Sequence, residues 1–85
     1  MTPELETLDQ LLGGELPLTV IRQLFDDEAQ FVRAILMMLD ADEVQLLAPD
    51  GGQVHRWRRS DALTSTAENS HYRLSITPIG AKRIG

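Results

Sequence analysis

The spacing of apolar residues changes near Glu43, and this change limits the possible folds of the chain more than any other feature. Before Glu43 apolar residues recur at helical intervals, whereas after it short runs alternate between apolar and polar positions. The 85 residues are enough for one hydrophobic core and too few for two. With 42% hydrophobic and 25% charged residues, the composition is typical of a folded domain. We therefore predict a single α+β domain over residues 1–85.

The first half of the chain carries signals for three helices. Thr2 and Pro3 are an N-cap and a first-turn proline, and Gly13-Gly14 ends the helix that they start. A second, shorter helix is predicted over residues 18–25. The third begins after Asp27, which has capping-box spacing with Gln30. The apolar stripe of this third helix consists of Phe31, Val32, Ile35, Met38 and Leu39.

The second half of the chain predicts three strands and a short C-terminal helix. Residues 44–48 and 53–57 form a hairpin around the turn 49–52. Residues 58–70 predict a flexible loop, with at most one helical turn after Ser60. Residues 72–76 alternate as a third strand, and Thr77-Pro78 repeats the helix start seen at Thr2-Pro3. The expected core consists of Leu5, Leu8, Leu12, Leu16, Ile21, Leu24, Phe31, Ile35, Leu39, Leu46, Tyr72, Leu74 and Ile76.

Three helices, a hairpin and a further strand, in this order, resemble the winged-helix variant of helix-turn-helix domains. The sharpest part of the match is the run LSITPIGAKRI, from Leu74 to Ile84. It resembles the strand-to-helix junction of MarR-like and PadR-like regulators, where an aromatic-x-Leu-Thr-Pro-x-Gly run leads into a C-terminal helix. Leu74 takes the place of the aromatic residue. The resemblance implies that the third helix is a DNA recognition helix and that the hairpin is a wing.

Acidic and basic residues are sorted along the chain. Residues 1–50 contain eleven acids and two arginines, a net charge of −9, whereas residues 51–85 contain six bases and two acids, a net charge of +4. The third helix starts with Asp26-Asp27-Glu28, which favours its dipole but repels phosphate. Its outer face offers mainly Gln30, Arg33, Met37 and Asp40. We therefore do not expect this helix to read a DNA groove, and DNA-induced shifts at the amides of residues 28–37 would contradict that expectation.

The basic wing is the candidate binding surface. Its residues are Arg56, Trp57, Arg58, Arg59 and Arg73, with Lys82 and Arg83 expected nearby. Three interpretations stay open for its arginines: pairing with acids of the same chain, protein recognition, or contact with phosphate. For Trp57 we favour a core position beneath the wing over stacking on a nucleobase.

Catalysis is not expected. The chain has no cysteine, and its two histidines, His55 and His71, lack metal-ligand spacing. A zinc site that joins them with Asp50 or Asp61 is not predicted, the glycine pairs match no phosphate-binding motif, and a core this small leaves little room for a pocket of about 300 Å3. We predict no catalytic residues, cofactor, metal or small-molecule substrate. The sequence shows neither a signal peptide nor a transmembrane run, so we expect a bacterial cytoplasmic protein without a membrane partner.

These observations predict a non-enzymatic, winged-helix-like interaction module. Its expected function is protein recognition, in which the partner is another protein or a second copy attracted head to tail by the sorted charges. The alternative is a DNA-binding transcriptional regulator that contacts phosphates through the basic wing. A third possibility is an acidic surface that mimics nucleic acid and occupies the basic site of another protein.

Overall fold

The three N-terminal helices begin at the residues where the sequence predicts their caps. The computed structural model describes residues 2–66 and 68–85, and its first helices are α1 (Pro3–Leu11), α2 (Leu18–Arg22) and α3 (Glu28–Asp40). The Thr2 hydroxyl accepts from the Leu5 N–H at 3.3 Å, and the Asp27 carboxylate accepts from the Gln30 N–H at 2.8 Å. Each cap satisfies an N–H that the helix itself leaves unpaired. Helix α2 ends at Arg22, three residues before the predicted end.

The three-stranded antiparallel sheet is built from strands that are far apart in the sequence. Its strands are β1 (Leu16–Pro17), β2 (Val44–Leu47) and β3 (Arg73–Ile76), in the order β1-β3-β2. Leu74 lies opposite Leu16 on one side and Leu46 on the other, so β3 is the central strand. Strand β1 was not predicted from the sequence, because two residues are too few to show alternation. With five helices in the described ranges, the predicted α+β class is confirmed.

The predicted return strand over residues 53–57 is wrong. The turn at 49–52 forms, with Gly51 at φ 90°, but the returning chain makes only one bridge to β2, between Gln53 and Leu47. The chain then enters a 3-10 turn at Arg56–Arg58 and helix α4 (Arg59–Thr64). Strand β2 pairs along its length with β3. The returning chain adds a short stretch of backbone hydrogen bonds, including one from the Val54 N–H to the Leu46 carbonyl at 2.9 Å.

The sequence predicts that the segment 58–70 is a loop with at most one helical turn after Ser60. In the structure a longer helix, α4, occupies part of this segment. Ala62 and Leu63 are buried, and α4 packs against α3, which joins this segment to the main core. Ala67 belongs to the predicted loop and lies outside the described residues. The flexibility expected of this segment stays a prediction.

The core lies between the helices and the inner face of the sheet. Leu12 was expected in it and is 55% exposed, because α1 ends at Leu11 and its apolar stripe ends with it. The buried apolar residues are Leu8, Leu11, Leu18, Ile21, Phe25, Phe31, Ile35, Met38, Leu39, Val44, Leu46, Ala62, Leu63 and Leu74. Leu5, Leu16, Leu24, Tyr72 and Ile76 are half-buried around them. None of the helices in the described part of the chain is both long and apolar enough to cross a bilayer.

The Thr-Pro-x-Gly run fixes helix α5 (Pro78–Ile84) to the end of α3. The Thr77 hydroxyl donates to the Asp42 carbonyl and accepts from the Gly80 N–H at 3.1 Å, and the Thr77 N–H donates to the Glu43 carbonyl at 3.1 Å. A Cβ on Gly80 would overlap that same Glu43 carbonyl oxygen. Glycine is therefore required where α5 crosses the chain leaving α3.

An ion pair between Arg83 and Glu43 lies at the same junction of α3 and α5. Arg83 Nη1 donates to both carboxylate oxygens of Glu43, at 2.7 and 2.8 Å. The Glu43 side chain is only 12% exposed, so the pair supplies partners to a carboxylate that has lost most of its water. Arg83 is therefore part of this junction and does not extend the basic wing.

Candidate protein-interaction surface

Trp57 lies on the surface, contrary to the prediction that it anchors the core. The residue is 78% exposed, the largest value among the exposed large apolar residues. The predicted strand would have turned Trp57 toward the core, but the chain forms a 3-10 turn at this position, and no residue of that turn is buried. A tryptophan held in solvent leaves a large apolar area unburied, and its polar N–H is free to meet a partner.

The side chains of His55 and Arg58 contact the Trp57 ring. The His55 imidazole stacks on the indole, with ring centroids 6.2 Å apart and planes inclined by 14°. The Arg58 guanidinium carbon lies 5.7 Å from the centroid of the indole, within cation–π range. We call His55, Arg56, Trp57 and Arg58 the Trp57 cluster. These contacts lower the conformational entropy that the ring would lose on binding a partner.

Asp40, at the end of α3, forms ion pairs with Arg56 and Arg59, two of the predicted binding arginines. Its Oδ1 lies 3.5 Å from Arg56 Nη2 and 3.8 Å from Arg59 Nη1. The Arg56 side chain is almost fully exposed, whereas that of Arg59 is only 21% exposed. The interpretation in which wing arginines pair with acids of their own chain therefore applies to these two residues. Arg59 belongs to the support of the cluster rather than to its outer surface.

Arg73 is exposed on the outer face of the sheet, as the alternation in β3 predicts. It lies opposite Leu47 in β2 and Pro17 in β1, while its neighbour Leu74 is fully buried. The predicted hairpin face that would have gathered Val54, Arg56 and Arg58 does not form, because Val54 still bonds to Leu46 of β2 whereas Arg56 and Arg58 lie in the 3-10 turn. Arg56, Arg58 and Arg73 are exposed as predicted, whereas Trp57 is exposed against the prediction, and the sequence attributed residues 56–58 to a strand that does not form there.

A groove runs along one side of α3. It encloses about 490 Å3 between α3, the start of α1 and Arg83. Its lining residues on and before α3 are Phe25, Gln30, Arg33, Ala34, Met37 and Met38, and we call this the α3 groove. Phe25 and Met38 are buried at its base, while Met37 is 67% exposed. The apolar base and exposed methionine suit an apolar side chain of a partner.

Other surface clefts correct the expectation that the protein has little room for a pocket. One of about 470 Å3 lies between the turn at 49–52 and α4, and its polar lining includes Asp50, His55, Asp61 and Tyr72. In residues 2–66 and 68–85, no three metal-ligating side chains converge on one point. The absence of catalysis stays a prediction.

The positions of His55, Asp40 and Met37 on this side of the protein are not predicted from the sequence. Met37 and Asp40 lie off the apolar stripe of α3, one helical turn apart, and this spacing was the available signal. The stacking of His55 required knowledge of the 3-10 turn. Searches with the chain find no matching family model, no matching curated protein and no matching solved structure.

Proposed function

We propose that the chain is a non-enzymatic, winged-helix-like interaction module that recognises another protein through the Trp57 cluster. The observation that carries this proposal is an ordered, almost fully exposed tryptophan with arginines on both sides in sequence. Tryptophan and arginine are the residues most often found at binding hot spots. A cytoplasmic location stays a prediction from the sequence.

The charges around the cluster favour an acidic protein segment as the partner. Arg58 and Arg56 are exposed, and the Asp40 carboxylate, shared by Arg56 and Arg59, balances one positive charge. The cluster is therefore modestly basic, which suits a segment that carries one or two carboxylates beside an apolar residue. A partner that buried the indole would remove on the order of 150–250 Å2 of surface from water.

Duplex DNA fits the same region less well. In a winged-helix arrangement α3 would approach the duplex together with the wing. The first turn of α3 and its N-cap carry Asp26, Asp27 and Glu28, all exposed, and these would face phosphates. The order of three helices followed by strands β2 and β3 supports the winged-helix interpretation of the fold, while the charges of α3 argue against groove binding.

The test is an NMR titration of labelled protein, at low salt, with a Glu-rich peptide that contains one leucine. We expect shifts at the amides of residues 55–58 in the wild-type protein. Binding should weaken about 30-fold in Trp57→Ala, the effect of a hot spot near 2 kcal/mol. Leu12→Ala, which removes an exposed leucine from the end of α1, is the matched control and should bind normally. Equal affinities for the wild-type protein and Trp57→Ala would refute the role of the cluster.

Phosphate contact through the wing is the second candidate, and the exposed ring favours it because an indole can stack on an unpaired base. A parallel titration with mixed-sequence duplex DNA and with single-stranded DNA tests it. Salt-sensitive shifts at Arg56, Arg58 and Arg73 that vanish in an Arg56→Ala/Arg58→Ala variant would replace protein recognition with nucleic-acid binding. If DNA causes no shift while the peptide does, this candidate is excluded.

A further inference from the structure

We propose that the α3 groove is a second protein-binding site, and that its occupant is an amphipathic helix of another protein with a carboxylate beside its apolar stripe. The lining of the groove, as the structure gives it for residues 2–66 and 68–85, includes no residue of the Trp57 cluster. The two sites are therefore distinct. This inference goes beyond the proposed function and does not depend on it.

The groove follows one face of α3 over most of its length. Its lining residues recur along the helix at helical spacing: Gln30, Arg33, Ala34, Met37 and Met38, with Ala41 at the C-cap. From Gln30 to Ala41 a helix rises about 16 Å, or about three turns. A site of this length fits a partner helix that contacts α3 with side chains spaced one turn apart.

Two other helices complete the groove. Pro3 and Glu4 line it from the start of α1, and Arg83 lines it from α5. Helix α1 packs against both α3 and α5, and the ion pair between Arg83 and Glu43 lies at the same place. The groove is therefore fixed by the packing of the fold, so a partner helix would bind without a rearrangement of the backbone.

The groove offers an apolar surface to its occupant. Phe25 and Met38 are buried at its base, and Met37 is exposed above them. A methionine side chain is unbranched and flexible, so Met37 can adapt to apolar side chains of different shapes. The volume of about 490 Å3 lies within the range of about 300–1,000 Å3 that is usual for binding sites.

The charges of the groove favour an occupant that carries a carboxylate. Arg83 is paired with Glu43, and Glu4 lies in the first turn of α1, where a negative charge stabilises the helix dipole. Arg33 is exposed and, within residues 2–66 and 68–85, forms no ion pair with a carboxylate. The residues three and four positions away from it on α3 are all uncharged. A carboxylate of the occupant would therefore be the partner of Arg33.

A helix suits the groove better than a fatty acid, which is also an anionic amphiphile. A fatty acid has one charged group and an acyl chain without polar atoms. The groove places Glu4, Gln30 and Arg33 around its apolar base, and an acyl chain would cover some of these polar groups without satisfying them. An amphipathic helix carries apolar and polar side chains along its whole length and can meet both.

Selection from a displayed library of helical peptides tests the proposal. Each peptide has a fixed stripe of leucines at helical spacing and randomised residues on both sides of the stripe. We expect wild-type protein to enrich Glu or Asp beside the stripe. Arg33→Glu protein, changed at an exposed position, should enrich Lys or Arg there instead. If both proteins enrich residues of the same charge, the role of Arg33 is refuted.

A second variant tests the apolar part of the groove. Met37→Gln removes exposed apolar surface and keeps a residue that favours a helix. It should weaken binding of a selected peptide about tenfold. Leu12→Ala, which changes an exposed leucine at the end of α1, is the matched control and should bind normally. Circular dichroism should show that all variants are folded. A library that yields no peptide with a preference for wild-type protein over Met37→Gln would overturn the inference.

An NMR titration with a selected peptide locates the contact. We expect shifts at the amides of residues 30–41. Replacement of the selected Glu of the peptide by Gln should weaken binding to wild-type protein about two- to fivefold, and should leave binding to Arg33→Gln protein unchanged. Shifts that lie outside residues 30–41 would contradict the proposed site. If dodecanoate shifts these amides and no selected peptide does, the groove binds a lipid and the inference is wrong.

The two proposals fail in different ways. Trp57→Ala should leave binding of the selected helix unchanged, and a loss of binding would contradict the existence of two distinct sites. If the Glu-rich peptide shifts residues 55–58 and no helical peptide binds the groove, the groove is refuted and the proposed function stands. If a helical peptide binds the groove and the Glu-rich peptide does not bind the Trp57 cluster, the groove is supported and the role of the cluster is refuted.

Discussion

Substitution of Gly80 by alanine tests the junction between α3 and α5. The new Cβ would overlap the Glu43 carbonyl oxygen and lie 3.0 Å from both the Glu43 carbonyl carbon and Ile76 Cγ1. Two of these three atoms belong to the backbone, so they cannot move aside as a flexible side chain would. The Glu43 carbonyl also accepts from the Thr77 N–H, and moving it would weaken that hydrogen bond.

The expected effect is a loss of about 2 kcal/mol in the free energy of unfolding. Overpacking contributes about 1–3 kcal/mol and the weakened hydrogen bond about 0.5–1.5 kcal/mol, while the better helix propensity of alanine offsets about 1 kcal/mol. For a chain of this size the melting temperature should fall by roughly 8–16 °C. Thermal unfolding followed by far-UV circular dichroism measures it.

The matched control for this substitution is Gly13→Ala. A Cβ at Gly13 would meet only the Gln10 carbonyl oxygen at 3.6 Å, an ordinary contact. The same chemical change should therefore leave stability within about 0.5 kcal/mol of the wild-type value. If Gly80→Ala unfolds at the same temperature as Gly13→Ala, the close crossing at Glu43 does not exist.

Four further substitutions test other parts of the structure by urea unfolding. Leu63→Ala removes a fully buried side chain of α4 and should cost about 2–5 kcal/mol; a loss near zero would show that residues 59–64 do not pack on the core. Arg83→Met leaves the Glu43 carboxylate without its ion pair and should cost about 1–3 kcal/mol, less if Glu43 is also changed to Gln; additive losses would mean that the two residues do not interact. Asp42→Val places a β-branched residue at φ 58° and should cost about 1–2 kcal/mol, whereas an unchanged midpoint would contradict that backbone conformation. Trp57→Ala should change the free energy of unfolding by less than about 0.5 kcal/mol. In the wild-type protein, the fluorescence emission of Trp57 should be red-shifted and fully quenched by iodide. A blue-shifted emission that iodide does not quench would show that the indole is buried in the core.

The parts of the fold predicted correctly are those set by local chemistry. Thr2, Asp27 and Thr77 start helices because each side chain accepts a hydrogen bond from a backbone N–H of the first turn. Pro3 and Pro78 favour the first helical position, where no backbone N–H is needed. The stripe through Phe31 and Ile35 is set by the helical period alone, and both residues are fully buried.

The errors concern which segments meet across the fold. The turn at 49–52 forms as predicted and the returning chain bonds to β2 as far as Val54. Residues 56–64 then form a 3-10 turn and α4, whose Ala62 and Leu63 are buried in the core. A two-residue strand such as β1 exists only through its pairing with β3, which no local pattern reveals. For the candidate site, the sequence itself places arginines on both sides of Trp57, but whether the ring is buried depends on a backbone turn that the local pattern does not determine.

The central position of β3 makes the whole sheet depend on one late-formed strand. Within the described residues, every strand-to-strand ladder includes β3, and its Leu74 pairs with Leu16, 58 positions earlier. During synthesis β1 and β2 would therefore emerge long before their shared neighbour exists. Loops of this length must close before their pairing yields any stabilisation, which slows folding. Until residues 73–76 have been made, β1 and β2 lack the strand that each pairs with in the sheet.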